Sequence, residues 1–281
     1  MTAPDLYAVI GHPVEHSQSP FIHARFAALT GQSMRYERRL APLGGFAATL
    51  AAFAAEGGRG CNVTVPFKHE AFRLAGRSSE RARRAGAANV LSREGDGWAA
   101  DNSDGIGLVR DLRQNAGAAI ADRRLLLVGA GGAAAGVLGP LIEERPAAIV
   151  VANRTPAKAE ALVASHAALA RSLGVELRAA ALDDAGRGHD LVVNASASSL
   201  DGAAVPVAAD VLAPGALAVD LMYGPAAQAF LDWAASHGAS GRDGLGMLVE
   251  QAAEAFFLWR GVRAPTAPVL AELRARLAGA R

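Results

Sequence analysis

A glycine-rich turn near the middle of the chain could bind a phosphate group. An apolar run at residues 125–128 has the length of a buried strand and is followed by Gly129, Gly131 and Ala134. These small residues match the G-x-G-x-x-A dinucleotide fingerprint, which needs a tight turn, close approach of the pyrophosphate and close packing of the next helix. The N-terminus of that helix faces the anion. The loop residues expected to contact the cofactor are Gly129, Ala130, Gly131, Gly132 and Ala133.

The residues about 20 positions further on indicate which dinucleotide binds. A second apolar run, residues 149–152, ends at Asn153-Arg154-Thr155, and Lys158 follows one turn later. An NAD site carries an acidic residue here, whereas arginine can pair with a ribose 2′-phosphate and gain about 1.5–3 kcal/mol. The alternative is that Arg154 and Lys158 are solvated, but basic side chains are disfavoured at a helix N-terminus without an anion. The sequence therefore predicts NADP (NADPH).

A lysine and an aspartate could form an acid–base pair. Asn62 and Thr64 share one side of a predicted strand by period two, and Lys68 lies just beyond its end. A lysine ammonium holds its proton at neutral pH and could protonate a carbonyl oxygen as hydride reaches the adjacent carbon. Asp104 could orient that ammonium and share a substrate hydroxyl. The alternatives are that Lys68 is a solvated surface group and that Asp104 only caps a helix.

Two serines and a glutamine are further candidates for polar contacts. Ser17 and Ser19 precede Pro20, which suits the first position of a helix, and two hydroxyls beside exposed helix amides could hold a carboxylate. Alternatively, Ser19 caps the helix. Gln251 lies on an apolar helical stripe, so its amide needs a partner, either the substrate or the backbone.

Composition excludes several classes of protein. The chain has 281 residues and a formal net charge of +1, which gives no support for a nucleic-acid or acidic membrane partner. We interpret Arg81, Arg83 and Arg84 as a solvated helix face. The single cysteine, Cys61, excludes an internal disulfide and favours a reducing compartment, and we expect it to be a small core residue of a cytoplasmic protein.

Two further classes of site are not expected. Residues 125–142 form an uncharged stretch of 18 residues, but its five glycines and Pro140 favour strand, loop and helix over a membrane span. His12 and His16 are four residues apart, yet Pro13 prevents them from sharing a helical face. We therefore predict neither a membrane partner nor a metal site.

The alternation of strand and helix patterns predicts an α/β protein. Strands are expected at residues 6–10, 36–40, 60–65, 88–92, 98–100, 125–128, 149–152, 190–193 and 216–221, and helices at 20–29, 46–55, 106–112, 247–259 and 265–277. We predict a substrate domain with a mostly parallel sheet (1–104), a Rossmann-type doubly wound NADP-binding domain (105–240), and C-terminal helices (241–281) that return to complete the first domain. Asn194, Ser196, Met222 and Tyr223 follow strands and should face the cofactor.

Together these segments resemble the shikimate dehydrogenase family over essentially the whole chain, in order as well as content. The matching motifs are His16-Ser17-Gln18-Ser19-Pro20, residues 62–68, Gly86-Ala87-Ala88-Asn89, residues 101–105, residues 129–134, Asn153-Arg154-Thr155, residues 243–249 and Gln251. The resemblance implies reversible NADPH-dependent reduction of 3-dehydroshikimate to shikimate in aromatic amino acid (chorismate) biosynthesis. It also implies a small-molecule substrate and a monomer or homodimer.

The resemblance implies three sets of residue roles at the matching positions. The catalytic pair would be Lys68 and Asp104. The substrate would be bound by Ser17 and Ser19 at its carboxylate, and by Thr64, Asn89, Asp104, Tyr223 and Gln251 at its ring hydroxyls or carboxylate. The cofactor would be bound by Asn153, Arg154, Thr155 and Lys158 around the 2′-phosphate, and by Met222 and the backbone around Gly244 near the nicotinamide.

Four positions depart from the family pattern. The family often has Asn at Ala24, Thr at Val90, Thr at Ser103 and Gly at Ser199, and the last change affects the loop at residues 194–199. A quinate dehydrogenase is an alternative with the same architecture, which Ser17 and Thr64 disfavour without excluding. A non-catalytic NADP-binding regulator is another, against which the Lys68 and Asp104 pair argues.

Overall fold

The computed structural model describes residues 3–196 and 206–279. It is a mixed α/β protein, as the sequence predicts, and it contains two six-stranded sheets. The chain divides into two compact units, which we call the first unit (Met1–Gly107 with Val249–Arg281) and the second unit (Leu108–Leu248). The sequence places these divisions after residues 104 and 240.

The first unit contains a mixed sheet. Its elements up to the boundary are β1 (Asp5–Gly11), α1 (Ser19–Thr30), β2 (Met34–Leu40), α2 (Phe46–Ala55), β3 (Gly58–Val63), α3 (Lys68–Leu74), β4 (Arg77–Ser78), α4 (Glu80–Ala85), β5 (Val90–Glu94), β6 (Gly97–Asp101) and α5 (Asp104–Arg110). The strand order is β2-β1-β3-β5-β6-β4. The strands β1, β2 and β3 are parallel, and β5 runs antiparallel to both β3 and β6. Ile10, Phe46, Phe53 and Leu91 are fully or almost fully buried in its core.

The second unit is a doubly wound fold with an all-parallel sheet. Its elements are β7 (Arg124–Val128), α6 (Gly132–Glu143), β8 (Ala148–Ala152), α7 (Pro156–Leu173), β9 (Glu176–Ala180), β10 (His189–Asn194), β11 (Leu212–Asp220), α8 (Gln228–Ser236) and β12 (Ser240–Arg242). The strand order is β12-β11-β10-β7-β8-β9. Successive strands are added to one side of β7 up to β9 and to its other side from β10 onward, so the switch point lies between β7 and β10. In such sheets ligands bind outside the carboxyl ends of the strands at this switch point.

Two helices close the chain, α9 (Leu245–Arg260) and α10 (Thr266–Ala278). From Val249 onward the chain belongs to the first unit. Arg25 on α1 donates two hydrogen bonds to Glu272 on α10, at 2.6 and 2.8 Å, and Trp259 Nε1 donates to the Leu91 carbonyl at 3.2 Å. Among the residues that the structure describes, no helix is both long enough and apolar enough to cross a bilayer.

The helix α4 corrects one interpretation of the sequence. Arg81 is not a solvated residue, because its guanidinium donates to both carboxylate oxygens of Asp101 on β6, at 2.5 and 2.8 Å. It also contacts Glu254 on α9 at 3.4 Å. Burial is the largest single contribution and lowers the pKa of Arg81, but the hydrogen bonds and ion pairs with Asp101 and Glu254 together raise it. Arg81 therefore connects three elements of the first unit.

A buried carboxylate organises the C-terminal end of the second unit. Asp111 lies in a π-helical turn, Asp111–Asn115, and is fully buried. Arg242 donates to its two oxygens at 2.7 and 2.5 Å, and Asn115 donates to one of them at 2.9 Å. The hydrogen bond with Asp111 raises the pKa of Arg242. A Cβ at Gly246 would lie 1.8 Å from Asp111 Oδ1, so α9 can begin here only with a glycine at that position.

Replacing this carboxylate should destabilise the second unit. We expect Asp111→Asn to lower its free energy of unfolding by about 3 kcal/mol, because the partly buried guanidinium of Arg242 loses the carboxylate that accepts hydrogen bonds from its Nε and Nη2. Chemical denaturation measures this change. The matched control is Glu144→Gln, which removes a carboxylate 3.2 Å from the exposed guanidinium of Arg113 and should cost less than about 1 kcal/mol. Equal losses in the two variants would contradict the role given to Asp111.

Candidate active site

The first-unit sheet brings the predicted polar residues to one edge. Parallel strands end at the same edge of a sheet, so the segments after β1 and β3 lie together. Because β5 is antiparallel to β3, its first residue lies at this edge, and so does the last residue of β6. The residues placed here are Ser17 and Ser19 after β1, Thr64 and Lys68 after β3, Asn89 before β5, and Asp104 after β6.

Lys68 and Asp104 form a largely buried ion pair. Lys68 is the first residue of α3 and Asp104 the first of α5, and Lys68 Nζ lies 2.5 Å from Asp104 Oδ2. Their side chains are 15% and 7% exposed, so Lys68 is not a solvated surface group. The Asp104 amide donates to Asn102 Oδ1 at 3.1 Å. The side chain that accepts from the first backbone N–H of α5 is therefore Asn102 and not Asp104. The structure thus brings the predicted acid–base pair into contact.

Three polar side chains surround this pair. Asn89 Nδ2 donates to Asp104 Oδ1 at 2.7 Å. Gln251 Oε1 accepts from Asn89 Nδ2 at 3.2 Å and lies 3.3 Å from the Ser103 hydroxyl. From the sequence, the partner of Gln251 was expected to be the substrate or the backbone. The structure shows that the side chains of Asn89 and Ser103 are also partners. All three residues are buried, and their hydrogen bonds connect the ion pair to the surrounding polar side chains through Asn89.

The remaining first-unit candidates flank this cluster. Thr64 is half-buried, its amide donates to the Ile10 carbonyl at 3.0 Å, and its methyl group packs so closely on Gly11 that a Cβ there would lie 2.2 Å away. Ser17 Oγ accepts from the Ser19 amide at 3.3 Å. The cap interpretation of Ser19 is wrong, because α1 begins at Ser19 and its N-cap is Gln18.

Asn62 is a site-supporting residue to which the sequence assigns no role. Its Oδ1 accepts from Tyr36 at 2.8 Å and lies 3.2 Å from His23 Nε2, while its Nδ2 donates to the Asn89 carbonyl at 3.2 Å. Burial lowers the pKa of His23 to about 3, so this imidazole is neutral. Burial also raises the pKa of Tyr36. The period-two pairing of Asn62 with Thr64 is the only sequence signal for this position.

The second unit presents the glycine-rich loop at its switch point. Gly129 has φ +112°, and a Cβ there would lie 2.9 Å from the Ala195 carbonyl oxygen, so only glycine fits. A Cβ at Gly131 would meet no atom of the described chain within 4 Å. Gly131 is the N-cap of α6, and within the described residues no side chain caps this helix. Ala134 is fully buried against the unit. The open, uncapped amides of this loop fit a pyrophosphate.

The end of β8 presents basic side chains beside this loop. Asn153 Nδ2 donates to the Thr155 carbonyl at 2.9 Å, and Thr155 is the N-cap of α7. Arg154, Thr155 and Lys158 are exposed. Within residues 3–196 and 206–279, neither Arg154 nor Lys158 has an ion-pair partner. A helix N-terminus with two uncompensated cations fits an anion such as a 2′-phosphate.

The backbone of Met222, after β11, makes two hydrogen bonds that hold this segment in place. The Met222 amide donates to Asp220 Oδ1 at 2.8 Å, and the Gly244 amide donates to the Met222 carbonyl at 2.8 Å. A Cβ at Gly244 would lie 2.2 Å from the Leu221 carbonyl oxygen, so this approach requires glycine. Tyr223 follows Met222 and is half-buried.

The segment after β10 differs from the expectation that Asn194 and Ser196 face the cofactor. Asn194 Nδ2 donates to Asp220 Oδ2 at 3.1 Å, and its Oδ1 accepts from the Ser196 amide and hydroxyl at 3.2 and 2.7 Å. These bonds hold the ends of β10 and β11 together. The rest of the loop, residues 197–199, lies outside the described residues. Among the described residues, no group of three or more His, Cys, Asp or Glu side chains could hold a metal ion.

Comparison with known proteins identifies the family. Family models match residues 9–91 (shikimate dehydrogenase substrate binding domain), 111–200 (shikimate / quinate 5-dehydrogenase) and 244–274 (shikimate 5′-dehydrogenase C-terminal domain). A relative from Acidovorax sp. (strain JS42), named shikimate dehydrogenase (NADP(+)), is 65% identical over 276 residues, covering 98% of each chain. The chain belongs to the shikimate dehydrogenase family.

Other family members agree over the full length. A shikimate dehydrogenase (NADP(+)) from Methylibium petroleiphilum is 66% identical over 284 residues, covering 99% of this chain and 97% of that protein. The structure is also similar to the crystal structure of shikimate 5-dehydrogenase from Thermus thermophilus in complex with NADP(H) and shikimate. The TM-score is 0.84 at 33% identity, covering 96% of this chain and 99% of that one.

A side chain at Gly131 should block cofactor binding without disturbing the fold. We expect Gly131→Val to raise the Kd for NADPH at least about 10-fold, a change of about 1.4 kcal/mol, because its side chain would fill the open space above the loop. Fluorescence titration with NADPH measures the Kd. The control is Gly76→Val in the first unit, where a Cβ also meets no described atom within 4 Å. A Kd that Gly131→Val leaves unchanged would place the pyrophosphate elsewhere.

Proposed function

We propose that this protein catalyses the reversible NADPH-dependent reduction of 3-dehydroshikimate to shikimate, in the biosynthesis of chorismate and the aromatic amino acids. The observation that carries the proposal is the buried contact between Lys68 and Asp104, at 2.5 Å, in a chain of the shikimate dehydrogenase family. The first unit would bind the substrate and the second unit the cofactor.

Lys68 acts as the proton donor in this mechanism. NADPH, when bound, supplies a hydride to the carbonyl carbon of the substrate. Lys68 gives a proton from Nζ to the carbonyl oxygen as negative charge develops there, so that C=O becomes CH–OH. Asp104 orients the ammonium through its Oδ2 and leaves Oδ1 to Asn89. In the reverse direction Lys68 accepts the hydroxyl proton.

Polar groups around the pair would bind the substrate. Ser17 and Ser19 stand at the start of α1, whose first turn contains no acidic residue in its sequence, and the positive end of the helix dipole favours a carboxylate there. Thr64, Asn89 and Gln251 would contact the ring hydroxyls or carboxylate, and we assign Tyr223 to the same task. Asn89 is supported by its contact with Asp104 Oδ1, and Gln251 by its contact with Asn89.

Residues at the carboxyl ends of the second-unit strands would hold the cofactor. The loop of Gly129, Ala130, Gly131, Gly132 and Ala133 would bind the pyrophosphate through its amides. The 2′-phosphate would be bound by Asn153, Arg154, Thr155 and Lys158. Met222 and the backbone at Gly244 would lie near the nicotinamide, supported by the hydrogen bond that joins them.

The cellular setting follows from the same proposal. We place the protein in the cytoplasm as a monomer or homodimer, with shikimate and 3-dehydroshikimate as its small-molecule partners. Cys61 is a free thiol in the core and burial raises its pKa, so it is a core residue rather than a nucleophile. Size-exclusion chromatography with light scattering would determine the oligomeric state.

Steady-state rates test the function directly. We expect faster oxidation of shikimate than of quinate, and faster reaction with NADP than with NAD, because Arg154 favours the 2′-phosphate. Initial rates for the four substrate and cofactor combinations give the answer. Faster quinate oxidation with NAD would establish a quinate dehydrogenase instead, and inactivity on both substrates would favour a non-catalytic NADP-binding protein.

Removing the proton donor should affect the chemical step. We expect Lys68→Ala to lower kcat about 100-fold or more, because a positioned general acid contributes at least that factor. Steady-state kinetics with shikimate and NADP measures it. The control is Arg73→Ala, which removes an exposed cation from the same helix α3 and should leave kcat unchanged. An unchanged kcat in Lys68→Ala removes this residue from the mechanism.

Reversing the charge at Arg154 should change cofactor preference. We expect Arg154→Asp to weaken NADP binding at least about 10-fold and NAD binding much less, since only NADP carries the 2′-phosphate. Titration of each cofactor gives the two Kd values. Arg171→Asp makes the same charge change in the last turn of α7, distant along the helix from Arg154, and should not separate the two cofactors. Equal losses for NADP and NAD in Arg154→Asp would show that Arg154 does not bind the phosphate.

A further inference from the structure

Ser103 lies between the two side-chain amides of the first-unit cluster. It is fully buried, its amide donates to Asn89 Oδ1 at 2.8 Å, and its hydroxyl lies 3.0 Å from Asn89 Nδ2 and 3.3 Å from Gln251 Oε1. We infer that Ser103 is a positioning residue that fixes which way round the amides of Asn89 and Gln251 face. The inference rests on the proposed function, in which both amides bind the substrate.

The backbone amide of Ser103 determines the orientation of Asn89. A carboxamide can be turned by 180° to exchange its oxygen and its NH₂ group, so its partners must decide between the two orientations. Because a backbone N–H only donates, the Asn89 atom at 2.8 Å is the oxygen. The NH₂ group then faces Asp104 Oδ1 at 2.7 Å, and an ionised carboxylate only accepts. Two independent partners therefore select the same orientation.

The hydroxyl of Ser103 passes this orientation on to Gln251. Asn89 Nδ2 carries two hydrogens, and its two shortest contacts, to Asp104 Oδ1 at 2.7 Å and to the Ser103 hydroxyl at 3.0 Å, use both of them. Because the Ser103 hydroxyl accepts from Asn89 Nδ2, its own hydrogen is left to donate, and the Gln251 atom that accepts it at 3.3 Å is the carbonyl oxygen. Asn89 Oδ1 is also 3.3 Å from this hydroxyl, but it already accepts the shorter bond from the Ser103 amide.

The consequence is a fixed pattern of donors for the substrate. With its oxygen held by the Ser103 hydroxyl, Gln251 turns its NH₂ group to the opposite side, and in the proposed function that group donates to a hydroxyl or carboxylate oxygen of the substrate. Ser103→Ala keeps the backbone amide that orients Asn89 and removes only the hydroxyl that reaches Gln251. The variant should therefore weaken substrate binding through Gln251.

A double-mutant cycle tests this route. The variants Ser103→Ala, Gln251→Ala and their combination are compared with the parent enzyme for kcat and KM with shikimate at saturating NADP. We expect Ser103→Ala alone to raise KM for shikimate about 5- to 10-fold, the effect of one hydrogen bond, with a smaller change in kcat. In the Gln251→Ala background the same change should alter KM less than about twofold, because the interaction is already lost.

A second pair of variants separates the hydroxyl from side-chain size. Ser103→Thr keeps the hydroxyl and should leave KM within about threefold of the parent, whereas Ser103→Val has a similar shape without it and should behave like Ser103→Ala. This pair decides the question if Ser103→Ala fails to fold. Thermal unfolding of every variant shows whether its fold is retained.

The outcomes separate this inference from the proposed function. If the parent enzyme oxidises shikimate but Ser103→Ala raises KM equally in both backgrounds, or not at all, the positioning role is overturned and the function stands. Equal KM values for Ser103→Thr and Ser103→Val would overturn it too. A parent protein that does not oxidise shikimate overturns the proposed function, and the inference falls with it.

Discussion

Burial of the Lys68–Asp104 pair is the constraint on which the first unit depends. Removing two charges from water costs several kcal/mol per ion, and their attraction offsets this only when other hydrogen bonds satisfy the remaining valences. Asn89 supplies such a bond to Asp104, and Ser103 and Gln251 in turn hold Asn89. Asn89 precedes β5, Ser103 follows β6, and Gln251 lies on α9. The pairing of β5 with β6 and the return of α9 to the first unit therefore both place hydrogen-bond partners around one ion pair.

The second unit depends on a different feature, the close packing of one backbone segment against another at two glycines. Gly129 and Gly244 both stand where a Cβ would overlap a neighbouring carbonyl oxygen. Each lies near the carboxyl end of the sheet, beside the segments that follow β7 and β11. The same unit keeps Asp111 buried by enclosing it with Arg242 and Asn115. This unit therefore needs glycine where its backbone segments approach closely, and it needs Arg242 and Asn115 to balance the buried Asp111 carboxylate.

Much of the fold could be predicted from the sequence because its strong signals are local. The apolar runs of β1, β7, β8 and β10 and the glycine fingerprint each act within a few residues. The segments α3 and β4 were not predicted, since they have only 7 and 2 residues and carry several charges without a clear period. The strand β12 has three residues, Ser240–Arg242, and depends on pairing with β11.

The candidate residues of the site could also be predicted, whereas their arrangement could not. Lys68 and Asp104 are 36 residues apart, and Asn89 and Gln251 are 162 apart, so no local pattern specifies which side chain faces which. Arg81 was interpreted as solvated because its partner Asp101 is 20 residues away on another element. The same limit applies to Asn62, whose partners come from α1, β2 and the start of β5.

The division of the chain has a consequence for the order of synthesis. The second unit is one continuous segment, Leu108–Leu248, whereas the first unit is split and needs Val249–Arg281 to be complete. A nascent chain emerges N-terminus first, so the nucleotide-binding half can fold on the ribosome before the half that precedes it in sequence. The first unit is complete only when the last helices have emerged, and Gln251 reaches Asn89 only after almost the whole chain has been translated.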